Sequence, residues 1–112
     1  MVFKLSSSPF GGRIRTRTLL ALSLMRSSYP RELARVLSTN LNSVRKALAG
    51  LELDGLVVGR AIGRTRVYEF NAAYFARQEL KQYVARLADA DRDLQNRVSQ
   101  LRRRPRRAGK PL

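Results

Sequence analysis

The stretch "PRELARVLSTNLNSVRKALAGLELDGLVVGRAIGRTRVYEF", residues 30 to 70, constrains the fold more than any other part of the chain. Two short helical patterns are separated by a polar break, and the second runs through a glycine into two β-rich runs joined by another glycine. Pro30 suits the first turn of a helix, where a missing N–H costs no hydrogen bond, and Glu32 falls near the positive end of that helix's dipole. Leu33, Val36 and Leu37 are its expected buried side. "STN" reads as a turn, with Asn40 placed to cap a second helix from about Leu41 to Asp54 whose stripe is Val44, Leu48 and Leu51. The opposite face carries Asn42, Ser43, Arg45, Lys46 and Ala49. Gly55 ends this helix, and "LVVGR" and "RVYEF" form a hairpin with Gly63 as the expected positive-φ residue.

On the N-terminal side, "MVFKLSSSPFGG" reads as an arm leading into a helix that starts near Gly12 or Arg13. Ile14, Leu19, Leu20, Leu22, Leu24 and Met25 cover so much of that helix's circumference that it must be buried on more than one side. On the C-terminal side the pattern is helical from about Tyr74 with no breaker before Pro105. Leu80, Leu87, Leu94 and Leu101 recur every seven residues, with Val84, Asp91 and Val98 between them. With the leucines at d and Val, Asp and Val at a, the spacing predicts one long dimerisation helix over residues 76–103, about 42 Å at 1.5 Å per residue. Leu94, Val98 and Leu101 then lie beyond the reach of their own domain's core, which makes a second subunit their expected partner. The tail after it, "RRRPRRAGKPL", is expected to be disordered.

Charge narrows the function. The formal net charge is +15 over 112 residues, which points to a polyanionic partner. Residues 1 to 66 carry 12 Lys or Arg against only Glu32, Glu52 and Asp54, residues 102 to 110 carry six more, and residues 67 to 101 are balanced. Absence of Cys and His excludes disulfides, thiolate or imidazole metal sites and Cys or His catalysis, so neither metal nor cofactor is expected. The eight carboxylates show no compact acid/base pair, so an enzyme is not expected. The apolar run "LLALSLM" is too short to span a bilayer and no secretory signal opens the chain, so a cytoplasmic location is expected, with no membrane partner.

Helix, short helix, tight turn, helix, hairpin and long helix is the order of a winged helix-turn-helix domain. On "YPRELARVL", "NSVRKALAGLELDGLV" and "GRAIGRTRVYEF" the chain resembles the ArsR-like winged helix-turn-helix transcriptional regulators of bacteria and archaea. The resemblance covers roughly residues 10 to 75. It implies a mainly α fold with a small β-hairpin wing and a DNA-binding domain over 12–75; the patterns on either side add an arm over 1–11, the dimerisation helix over 76–103 and the tail over 104–112. It also implies that Asn40, Leu41, Asn42, Ser43, Arg45 and Lys46 belong to the helix facing the major groove, and that Arg60, Arg64, Thr65 and Arg66 belong to the wing. Departures are visible too. "ELARVL" lacks the Cys-x-Cys of thiophilic metal sensors, and the last helix lacks the histidines of the other known metal site. Thr39 stands where an apolar residue is usual, and Gly50 weakens its helix by up to ~1 kcal/mol relative to Ala.

The function expected from these features is a homodimeric, sequence-specific regulator of double-stranded DNA, a repressor, on an operator with two symmetric half-sites. The alternative is a winged helix that coats DNA or RNA without sequence preference, or docks another protein. The residues name no small-molecule effector.

Overall fold

The computed structural model describes residues 9–103, so the expectations for the basic tail and most of the N-terminal arm lie outside them. The described chain is mainly helical with a small three-stranded antiparallel sheet, an arrangement compatible with a winged helix. Helix α1, Arg13–Met25, lies at the centre. Its Leu19, Leu20, Ala21 and Leu22 are four consecutive residues at 0% exposure, so the helix is enclosed on every side, as its apolar circumference requires.

The "SSYP" break contains a short strand, β1 at Ser27–Ser28, which the sequence pattern does not reveal. Helix α2, Pro30–Leu37, follows with proline in its first turn and Leu33, Val36 and Leu37 buried. The Ser28 hydroxyl donates to Glu32 at 2.6 Å and ties strand to helix. Helix α3, Leu41–Leu53, buries Val44, Ala47, Leu48 and Leu51, and Gly55 at φ 83 follows its end. Strands β2, Val57–Ile62, and β3, Thr65–Phe70, pair from Val57 opposite Phe70 to Ile62 opposite Thr65. That register leaves Gly63 and Arg64 as a two-residue turn. Only Gly63 of the two takes positive φ, at 63°, the pattern of a type II′ hairpin turn. β1 pairs with the other edge of β3, giving the order β1-β3-β2.

The single long helix expected over 76–103 is not formed. The chain folds instead as α4, Arg77–Asp89, and α5, Arg92–Arg103, with a break at Ala90 and Asp91. The break has a local cause that outweighs helix continuity. The Asp91 carboxylate accepts the Leu94 amide at 3.0 Å as an N-cap, and the Gln95 side chain donates to the Ala88 and Asp89 carbonyls at 2.8 and 3.0 Å. Both new helix ends are thereby satisfied. The turn returns α5 to α1 and α2, so Leu94 is fully buried and Val98 nearly so.

The heptad stripe is therefore used inside its own chain. Leu80, Val84, Leu94 and Val98 belong to the same apolar cluster as Leu20, Leu37 and Leu48, with Leu87 and Leu101 packed against it, and Asp91 is a cap rather than an a-position residue. The zipper expectation is corrected on that ground, because a seam between subunits needs those side chains free. Residues 76–103 also have no core separate from that of 12–75.

Two expected outcomes test this packing. Truncating Leu94 to Ala should lower the unfolding free energy by about 2–5 kcal/mol in denaturant titrations without altering the sedimentation coefficient, since the cavity opens within one chain. Thr18 is fully buried in α1 and its hydroxyl has no partner among the described residues. Thr18→Val, nearly isosteric, should raise stability by about 1 kcal/mol, because it removes an unsatisfied buried group.

Candidate nucleic-acid interface

Three backbone devices set the position of α3. Its N-cap Asn40 accepts the Ser43 amide at 2.8 Å. Ser38, which closes α2, sits in the left-handed region at φ 52 and ψ 49, and the Thr39 amide donates back to the Ala34 carbonyl at 3.0 Å. The third is supplied from outside the turn: Arg97 of α5 donates to the Ser38 hydroxyl, and Arg17 of α1 donates to the Leu37 carbonyl at 3.2 Å. Burial pushes the Arg17 pKa below the usual arginine value, and the charge of Asp91 opposes that shift. Two guanidinium groups thus sit at the negative end of α2, where the helix dipole favours them.

The hairpin is tied to α3 by Glu52. Its carboxylate accepts the Gly59 amide at 3.1 Å and the Arg66 guanidinium at 3.3 Å from the same oxygen. Gly59 makes this approach possible, because a Cβ there would lie 2.7 Å from Arg66 Nε and 2.8 Å from Tyr68 Cε2. Arg66 lies over the Tyr68 ring, 5.7 Å from its centroid. Tyr68 first, and Glu52 after it, hold the Arg66 pKa above the usual arginine value.

With the hairpin so placed, Tyr29, Pro30, Arg31, Leu41, Arg45, Arg64, Thr65, Arg66 and Tyr68 line a groove of about 540 Å³ between it and the N-terminal ends of α2 and α3. Four arginines and no carboxylate line it. Among the described residues no carboxylate pairs with Arg31, Arg45, Lys46 or Arg64.

Of the α3 residues singled out in the sequence, Asn42, Arg45 and Lys46 are exposed. Leu41 is half-buried in the groove wall, the Asn40 carbonyl oxygen is occupied by its cap, and Ser43 is half-buried with its amide held by Asn40. Arg64, Thr65 and Arg66 of the hairpin reach the groove. Arg60 does not. It stands opposite Val67 and pairs with Glu69 at 3.3 Å, so the two-residue period of the strand puts it on the other face from Arg66 and Tyr68. Tyr29 and Arg31 were hidden in the sequence by the breaker "SSYP", although their position at the start of α2 is the signal that could have found them. Glu52 carried no sequence signal, since its partners lie 7 and 14 residues away in the hairpin.

Gly50 has a packing reason. A Cβ there would meet Arg15 Nη1 at 2.6 Å, where the α1 guanidinium crosses α3 to reach Asp54 at 2.5 Å.

No protein-family model, curated protein or solved structure matches this chain. Among the described residues no cluster of three or more His, Cys, Asp or Glu is placed to hold a metal ion, and no helix is long and apolar enough to cross a membrane. The exposed large apolar residues, among them Leu53, Ile62, Phe75 and Tyr83, each stand on a different segment.

Removing the Glu52 tie should loosen the hairpin without unfolding the core. In Glu52→Ala the Gly59 amide is expected to lose most of its hydrogen-exchange protection while Val44 and Leu48 keep theirs, and global stability should fall by only about 1 kcal/mol. Equal loss of protection at all three amides would contradict a local tie.

Proposed function

We propose that the chain is a double-stranded DNA-binding protein of the winged helix-turn-helix type, and that it regulates transcription by occupying promoter DNA. The observation that carries this reading is the carboxylate-free groove in which Arg31, Arg45, Arg64 and Arg66 converge beside the exposed face of α3. Arg66 is tied to Glu52, and the other three guanidinium groups have no carboxylate partner among the described residues; a polyanion laid along them offsets their mutual repulsion while releasing its own counterions. In the proposed complex the exposed face of α3 enters the major groove and the hairpin lies along the adjacent backbone. Arg45 presents donors suited to guanine O6 and N7, Asn42 suits an adenine edge, and Ala49 suits a thymine methyl group. Arg64 at the hairpin tip is a phosphate contact.

A projecting helix favours DNA over double-stranded RNA, whose deep, narrow major groove does not admit one. The relation to ArsR-like regulators is part of this proposal and rests on the order of elements and the residues that carry it. Two copies on a symmetric operator would meet through a surface other than the Leu80 to Leu101 stripe, whose Leu80, Val84, Leu94 and Val98 are already buried in each chain.

Selection of bound duplexes from a random pool at about 150 mM salt tests the reading. A recovered site bound roughly a thousandfold above random DNA is the expected result, and a pool that stays random would reduce the protein to a non-specific coat. Asn42→Ala with Arg45→Ala should relax preference at the read positions by about 1–3 kcal/mol for each bidentate hydrogen-bonded pair with a base. Arg64→Ala should weaken all sequences alike and reduce the salt slope by about 0.9.

A further inference from the structure

The proposed DNA-binding face has a second cationic wall, on the side of α3 away from the hairpin. Arg45 and Lys46 are neighbours in sequence, so they leave the helix roughly 100° apart. Arg45 lines the groove shared with the hairpin, whereas Lys46, with Ser43 of its own helix, lines a hollow shared with Arg13 and Arg15 at the start of α1. Arg13 and Lys46 are exposed, no carboxylate lines that hollow, and among the described residues neither cation has an ion-pair partner. Asn42 and Ala49, three and four residues to either side of the pair, occupy the exposed stripe between the two walls.

We infer that this second wall, Arg13 together with Lys46, holds the sugar-phosphate backbone of the DNA strand opposite the one held by the hairpin. The inference rests on the DNA-binding reading and adds to it a docking geometry. The major groove of B-DNA is about 12 Å wide and a helix with its side chains about 10–12 Å across, so both flanks of an inserted helix meet phosphates. The stripe of Asn42 and Ala49 faces the base edges, and Lys46 is a backbone contact. α1 thereby becomes part of the interface as well as of the core.

The test uses the full chain and a short duplex carrying the selected site, in which single phosphates are replaced one at a time by neutral methylphosphonates. For the wild type, two clusters of phosphates should prove sensitive, one on each strand across the major groove. In Arg13→Ala/Lys46→Ala one cluster should vanish, the salt slope should fall by about 1.8 and the ranking of base preferences should persist; Arg64→Ala should erase the other cluster. Unaltered melting of the double variant establishes that it is folded. A wild type sensitive on the hairpin side alone, or a double variant with both clusters and the full salt slope, overturns the inference while leaving DNA binding intact. A wild type that binds no duplex overturns the DNA-binding reading, and this inference with it. If binding is sequence-independent, the same reduction of about 1.8 in slope is expected on a random duplex, and an unchanged slope there refutes the second wall.

Discussion

Everything in this molecule is organised around a helix with no exposed side over its middle. Leu19, Leu20, Ala21 and Leu22 cannot all be buried by one neighbour, because four consecutive residues point in four directions around a helix. α2, α3, the sheet, α4 and α5 therefore each cover a sector of α1. A chain of 112 residues has little apolar surface to distribute, and fully burying a leucine side chain contributes about 1.5–3 kcal/mol. Bringing α5 back over α1 and α2 buries Leu94 and Val98, so burial and the capped turn at Asp91 act in the same direction.

The sequence was legible where local chemistry decides. Pro30 opens α2, Asn40 caps α3, Gly55 and Gly63 take positive φ, and the circumference of α1 announced its burial. It misled at Asp91. Spacings of three and four residues describe a stripe on a helix and do not say whether another chain or the same chain covers it. The residue that decides between those outcomes looked like a polar a-position, although an Asp followed three residues later by an apolar helix position is equally an N-cap. The candidate interface was half legible for a related reason. Strand parity separates Arg60 from Arg66 once the register is known, but the register depends on where the turn falls. The Glu52 tie and the reach of Arg15 across Gly50 join residues far apart in sequence, and no periodicity encodes them.

The distribution of charge follows from the same architecture. Four carboxylates in the described chain pair with arginines: Asp54 with Arg15, Glu52 with Arg66, Glu69 with Arg60 and Asp93 with Arg97. Those pairs leave the outward side of α3 and the hairpin tip as a surface where positive charge stands uncompensated among the described residues. In the proposed complex an extended polyanion meets both walls, whereas a small anion would meet only one.

The contact between Arg97 and Ser38 gives the C-terminal helix a mechanical role. Serine in the left-handed region is an uncommon choice; its backbone is held by amides donating to the Ala34 and Arg35 carbonyls, and its hydroxyl accepts from a residue 59 positions downstream. The turn that precedes α3 is consequently tied to α5. Helix α5 therefore supplies one of the contacts that hold the turn before α3, although 59 residues separate the two partners in sequence.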